Sequence, residues 1–207
     1  MFDATQLLGF VAAVMVLVLV PGPNTIIILA QSVGGGRMAG LATVAGVETG
    51  TVIHTVAAAL GLSALLATSA FAFNAIKLAG AAYLIVVGYR MFRQPSIQLA
   101  SGPQVSPGLA FRRALVTNVL NPKVALFFLA FLPQFVKAER GDVFLQFVLL
   151  GLIVSMVGLF FGSMLALTAG SLTQWLQKNA RFESWQQRIA GSALICVGIR
   201  LAFVHAD

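Results

Sequence analysis

The chain has 207 residues, 59% of them hydrophobic and only 9% charged, with a mean hydropathy of +0.95. A soluble domain carries roughly 25% charged residues, so this composition excludes a solvated globule and leaves lipid to cover the fold. The net charge of +7 comes from Lys and Arg at the ends of apolar runs, where a membrane protein places its topology signals; no basic stripe with interleaved aromatics argues for a nucleic-acid partner.

Asp3 stands where a signal peptide would carry positive charge, and the apolar run outlasts a typical signal core, so the first segment reads as retained. It covers about residues 6–20, breaks at Pro21-Gly22-Pro23 and resumes over 24–33. The second segment is about 41–67 and the third about 75–92. A stretch rich in Pro, Ser, Gln and Gly follows and reads as a cytoplasmic linker over 93–110. The fourth segment, about 115–135, is interrupted at Asn121-Pro122-Lys123; the fifth is about 144–169 and the sixth about 189–204. Cys196 lies in this last run and has no second cysteine to pair with. The runs are continuous rather than alternating, which argues against a closed barrel. The expected fold is an all-α integral membrane protein, a single membrane domain of about six transmembrane helices.

The two halves, 1–92 and 111–207, carry matching devices in the same order. Lys77-Leu-Ala-Gly80 to Gly88-Tyr-Arg90 in the third segment aligns with Arg188-Ile-Ala-Gly191 to Gly198-Ile-Arg200 in the sixth, with one gap. Gly46-x-x-x-Gly50 in the second segment answers Gly158-x-x-x-Gly162 in the fifth, and small residues four apart let helices approach closely in lipid. Such faces serve contacts within one chain or a homo-oligomer. Three helices per half is an odd number, so the second half would be inverted, and inverted repeats with interrupted helices at matching positions mark secondary transporters. With the N-terminus outside, Arg37, Arg90, Arg93, Arg112, Arg113, Lys178, Arg181 and Arg188 fall inside, against Lys77, Lys137, Arg140 and Arg200 outside; the positive-inside rule thus puts both termini outside. Lys77, Arg90, Arg188 and Arg200 read as anchors at helix ends.

Three polar features stand out. Pro21, Gly22 and Pro23 should unwind the first helix, because proline lacks an N–H and restricts its predecessor. Unpaired backbone is costly in lipid, so the break should face protein or a watery cavity. There the half-helix terminus, with Asn24 and Thr25, suits a substrate carboxylate. Asn118, Asn121, Pro122 and Lys123 form the second feature. Lys123 either meets a substrate carboxylate, pairs with an internal acid, or snorkels to the interface. The third is Glu48 with His54. Glu48 lies roughly 14 Å along its helix, near mid-bilayer, and is the only acid in any expected span. It can exchange protons, hold a substrate ammonium, or pair with Lys123 or Lys77. His54 sits roughly 120° away around the helix and need not touch it. The aromatic stretch from Phe127 to Phe135 reads as lipid-facing and packing surface.

An intramembrane enzyme is disfavoured: the aspartates lie outside the spans, no His-Glu-x-x-His occurs, and His54 has no evident serine partner. One Glu and one His are also too few for a cation pathway, and no metal or other cofactor is called for. A channel or an exporter of another small solute is the remaining alternative.

These residues resemble the LysE/RhtB family of amino-acid exporters. The resemblance rests on an ordered set: Pro21-Gly22-Pro23-Asn24, Gly36-Arg37, Gly40, Gly46, Gly50, His54, Lys77 to Leu84 with Gly88, Asn118, Asn121-Pro122-Lys123, Phe127-Phe128 and Leu132-Pro133-Gln134-Phe135. Val20 and Ala114 stand where the family often has glycine. The resemblance implies efflux of amino acids or close derivatives, driven by the proton gradient, across a bacterial cytoplasmic membrane. The expected mechanism binds substrate between the halves near the two breaks, with Glu48 and His54 the candidates for proton coupling.

Overall fold

The computed structural model describes residues 2–68, 70–92, 105–178 and 180–203. Among these the chain is helical throughout, with no strand, as lipid demands of backbone that must satisfy its own hydrogen bonds. The helices are α1 (Ala4–Leu19), α2 (Pro23–Thr68), α3 (Ala70–Met91), α4 (Pro107–Val119), α5 (Pro122–Leu126), α6 (Val143–Lys178) and α7 (Ala180–Phe203). Most of the linker expectation, residues 93–104, lies outside the described residues, as do the side chains of Lys77, Lys178, Arg181 and Arg200. The linker's expected end is already helical, because Ser106 caps Leu109 N–H and Pro107 occupies the first turn of α4.

Among the described residues every apolar segment of the sequence is helical apart from its proline break, and α2, α3, α6 and α7 are longer than their apolar runs. Two stretches, Pro23–Leu62 and Val143–Ser171, are each long and apolar enough to cross a bilayer. Pro107–Val119 and Pro122–Phe135 make a third as a pair bent by 47°, and Ala4–Leu19 and Leu78–Arg90 are shorter apolar helices. Helix α2 is itself bent at Gly36, whose φ of 77° and ψ of −179° only glycine adopts without strain. This bend separates residues 23–35, the continuation of the first broken helix, from residues 37–68.

Both proline breaks form where expected. Helix α1 ends at Val20, and α2 starts at Pro23. Helix α4 ends at Leu120, and α5 starts at Pro122. Beyond α5 the chain makes a π turn over Phe127–Phe131 and a 3-10 turn over Leu132–Phe135. Of the two roles expected of the aromatic stretch, packing is what its rings do: Phe127, Phe128 and Phe131 are buried in one cluster with Phe10 of α1, while Leu129 is exposed. Ring centroids lie 5.0 Å apart for Phe10 and Phe135 and 5.2 Å for Phe127 and Phe131. Aromatic rings so placed add specific contact energy to their burial.

Glycines set the helix contacts. A Cβ on Gly46 would strike the Phe111 carbonyl and Ala114 of α4, and one on Gly50 would strike Asn118. On α6, Gly151, Gly158 and Gly162 face Thr55, Glu48 and Val44 of α2, so these two helices run antiparallel. The Gly-x-x-x-Gly pairs are therefore not packing equivalents: the first receives α4, the second receives α2. Both are used inside one chain. The pairing of α3 with α7 is reciprocal, since Gly88 packs on Gly191 and Ile195 while Gly198 packs on Ala81 and Ile85. Here the structural counterpart of Gly191 is Ala81, one residue past the Gly80 that the sequence aligned with it.

At one end of the bundle, buried Gln146 closes the turn before α6: it accepts Lys137 N–H at 3.0 Å and donates to the Lys137 and Gly141 carbonyls. Beside it the Arg140 guanidinium bonds to Asp3 and holds that carboxyl below its usual range. Asp3 is mostly exposed, and such surface pairs contribute little to stability.

Candidate functional site

The two breaks meet. Asn121 Nδ2 donates to Asn24 Oδ1 at 3.1 Å, joining one interruption to the other. Lys123 Nζ crosses the gap and donates to the Val20 carbonyl at 2.6 Å. Pro21 and Pro23 supply no N–H, so α1 ends with carbonyls that need outside donors. At the second break Pro122 has no N–H for the Asn118 carbonyl. That carbonyl instead takes the Asn121 N–H at 3.0 Å and the His54 Nε2–H at 3.2 Å. The Asn121 side chain caps the new half-helix, accepting Lys123 N–H at 3.0 Å.

These elements enclose a cavity of about 80 Å³. Its polar wall comprises Gly22, Asn24, Thr25, Glu48, Thr51, Asn118, Asn121 and Lys123, and its apolar wall includes Ile28, Val47, Phe161 and Leu165. A cavity of that size holds several waters or the polar head of a small solute. Its polar groups are unusual for a membrane interior. Most buried hydroxyls here are self-satisfied: Thr43, Thr51 and Thr55 each donate to a carbonyl one turn back. By contrast Glu48 Oε2, Asn118 Oδ1 and Ser155 Oγ are buried with no hydrogen-bond partner within 3.5 Å among the described residues, as is Gln31 Oε1 elsewhere. Glu48 and Asn118 line the cavity, and Ser155 of α6 adjoins the Glu48 carboxyl. Orphaned buried polar atoms are rare in native folds and call for a reason.

Glu48 and Lys123 share the cavity without pairing; among the described residues the ion pair within 4 Å is Arg140 with Asp3. A lysine at mid-bilayer costs about 2.5–3.5 kcal/mol on insertion scales, and one carbonyl does not neutralise it. The arrangement thus keeps one cationic and one acidic side chain apart, each facing free space.

Of the residues the sequence singled out, Gly22, Asn24, Thr25, Glu48, Asn118, Asn121 and Lys123 come together at this cavity. Pro21, Pro23 and Pro122 make the breaks but do not line it, and Pro23 and Pro122 are exposed. His54 stands behind the wall, stacked on Phe128 with ring centroids 5.8 Å apart. Thr51 and Ser155 were missed. Both lie one turn from a residue the sequence did flag, Glu48 for Thr51 and Gly158 for Ser155, which is the signal that would have found them.

No solved structure matches the chain. Curated sequences do. An uncharacterized membrane protein of Pseudomonas aeruginosa is 31% identical over 96% of this chain and 95% of its own length. A homoserine/homoserine lactone efflux protein of Salmonella typhimurium is 32% identical over 88% of each chain. A leucine efflux protein of Enterobacter sp. is 28% identical over 99% of this chain and 98% of its own. Residues 15–204, which contain both breaks and every residue of the cavity, match the description "LysE type translocator". This integral membrane chain belongs to the LysE type translocator family.

Proposed function

We propose that the chain is a secondary transporter that exports an amino acid or close derivative across the bacterial cytoplasmic membrane, in exchange for protons. The observation that carries this reading is the cavity between two broken helices, with Lys123 and Glu48 lining it unpaired. A zwitterion supplies the missing partners. Its carboxylate meets Lys123, Asn24 and the open N-terminus of α2, and its ammonium meets Glu48. When substrate leaves, a proton replaces the ammonium at Glu48, which makes that carboxyl the coupling group. Relatives named for efflux of homoserine and of leucine point the same way.

The reciprocal packing of α3 on α7 supports two inverted three-helix repeats that rock about the cavity. With six full spans, the Lys and Arg distribution supports both termini lying outside the cell. On this reading the chain is a translocator with no catalytic residue; His54 supports the second break from behind.

The test is efflux from proteoliposomes, screening all amino acids with an imposed proton gradient. Saturable, uphill movement of at least one is expected. Glu48→Gln should still insert and fold but lose uphill transport. Full uphill transport by Glu48→Gln would remove the coupling role, and flux that neither saturates nor runs uphill would make the protein a channel.

A further inference from the structure

Resting on the export reading, we infer that Lys123 is a built-in ammonium occupying the carbonyl site that a second substrate ammonium would need, which restricts export to amino acids with an uncharged side chain. Lys123 Nζ donates at 2.6 Å to the Val20 carbonyl, at the C-terminal end of α1 where the helix dipole is negative. That carbonyl has no intrahelical donor, because the helix stops there. It is a backbone acceptor at the broken end of α1, and it is already filled by the head group that a substrate lysine or ornithine would bring.

Charge counting leads to the same place. Glu48 and Lys123 are the ionisable side chains lining the cavity, one acidic and one basic. A zwitterion with an uncharged side chain leaves every charge paired: carboxylate on Lys123, ammonium on Glu48. A basic substrate adds a cation with no second carboxylate to pair it, and an acidic one adds an anion with no second cation. A buried unpaired charge is strongly disfavoured. What remains of the wall, including Ile28, Val47, Phe161 and Leu165, is apolar and takes an aliphatic or short hydroxylated chain.

The experiment uses the full chain, purified in detergent for thermal stabilisation by leucine, homoserine, lysine and ornithine, and reconstituted for efflux of the same four. The wild type should prefer at least one uncharged amino acid over lysine and ornithine by tenfold or more. Lys123→Met opens the Val20 carbonyl, so the ratio of lysine to neutral affinity should rise at least tenfold; Lys123→Arg keeps a cation there and should keep the exclusion. A wild type that binds or exports lysine as well as leucine or homoserine overturns the inference and leaves amino-acid export standing. So does an unchanged ratio in folded Lys123→Met. A wild type that neither binds nor moves any amino acid removes the export reading, and this inference with it. Should Lys123→Met fail to fold, the wild-type preference still decides.

Discussion

At the first break a glycine precedes the proline that starts the new half-helix; at the second an asparagine does. Gly22 has no side chain to cap α2, so the N–H groups around Asn24 and Thr25 have no side-chain cap from their own chain end. Asn121 caps α5 on Lys123 N–H and also holds Asn24 across the gap. The carbonyls differ as well. Asn118 O takes the Asn121 N–H of its own break as well as the His54 ring of α2, whereas Val20 O depends on a lysine sent over from the other break. One interruption is thus closed and supporting, and the other is open. Matching sequence devices in two halves need not do matching work, and the asymmetry gives the cavity its polarity.

The largest expected effect comes from removing what passes between the breaks. Lys123→Met should lower transport of the preferred neutral substrate about 100-fold, the worth of one charge-assisted contact or about 2.7 kcal/mol. Stability should move little. Leaving the Val20 carbonyl bare costs about 1–3 kcal/mol, while deleting a mid-membrane lysine returns about 2.5–3.5 kcal/mol. A melting curve in detergent beside an efflux assay checks both halves. A collapse in stability with it would make Lys123 a structural strut. Asn121→Ala is next. It loses a helix cap of about 1 kcal/mol and the bond to Asn24 of similar size, about 2 kcal/mol together. Asn24→Ala loses only the bond, about 1 kcal/mol. Equal destabilisation by the two would deny Asn121 its capping role and erase the difference between the breaks.

The sequence made the membrane class, the helical segments and both breaks legible, because apolar runs and prolines act locally. It also delivered Asn24, Glu48, Asn118, Asn121 and Lys123 as candidates, since polar side chains inside long apolar runs are conspicuous. It did not reveal where Lys123 points. A lysine on a helix reaches an acid, a carbonyl or the interface with equal ease, and only the approach of α1 selects Val20. Thr51 and Ser155 were hidden among hydroxyls that serve their own helices, as Thr43 and Thr55 do. The two glycine pairs looked equivalent because periodicity marks a face and not its partner. The phenylalanines after Lys123 read as both lipid-facing and packing surface for the same reason, and it is α1 that they pack against.

Giving the first break the cap of the second tests the comparison more sharply. Gly22 has an ordinary backbone, since the glycines with positive φ are Gly36 and Gly141 among the described residues. A Cβ there would lie 3.6 Å from Lys123 Nζ, an ordinary contact. Gly22→Asn should therefore fold and gain a few tenths of a kcal/mol through its new cap. Its side chain would also occupy the amides that a substrate carboxylate needs, and transport should fall about tenfold. Higher stability with undiminished transport would mean that the open helix end is no part of the site.

His54 carries the smallest effect. Its ring stacks on Phe128 and donates to the Asn118 carbonyl, but it does not line the cavity. His54→Ala should cost about 1 kcal/mol for the lost hydrogen bond, and more only to the extent that the ring leaves a void. His54→Gln, with an amide N–H on a side chain of similar reach, should recover most of that loss. On the proposal that the proton exchanges at Glu48, uphill transport should persist in His54→Gln, because the Asn118 carbonyl already has the Asn121 N–H. A His54→Gln protein that melts normally yet transports only downhill would shift the coupling from the acid in the cavity to the imidazole behind the second break. That break would then cease to be merely supporting.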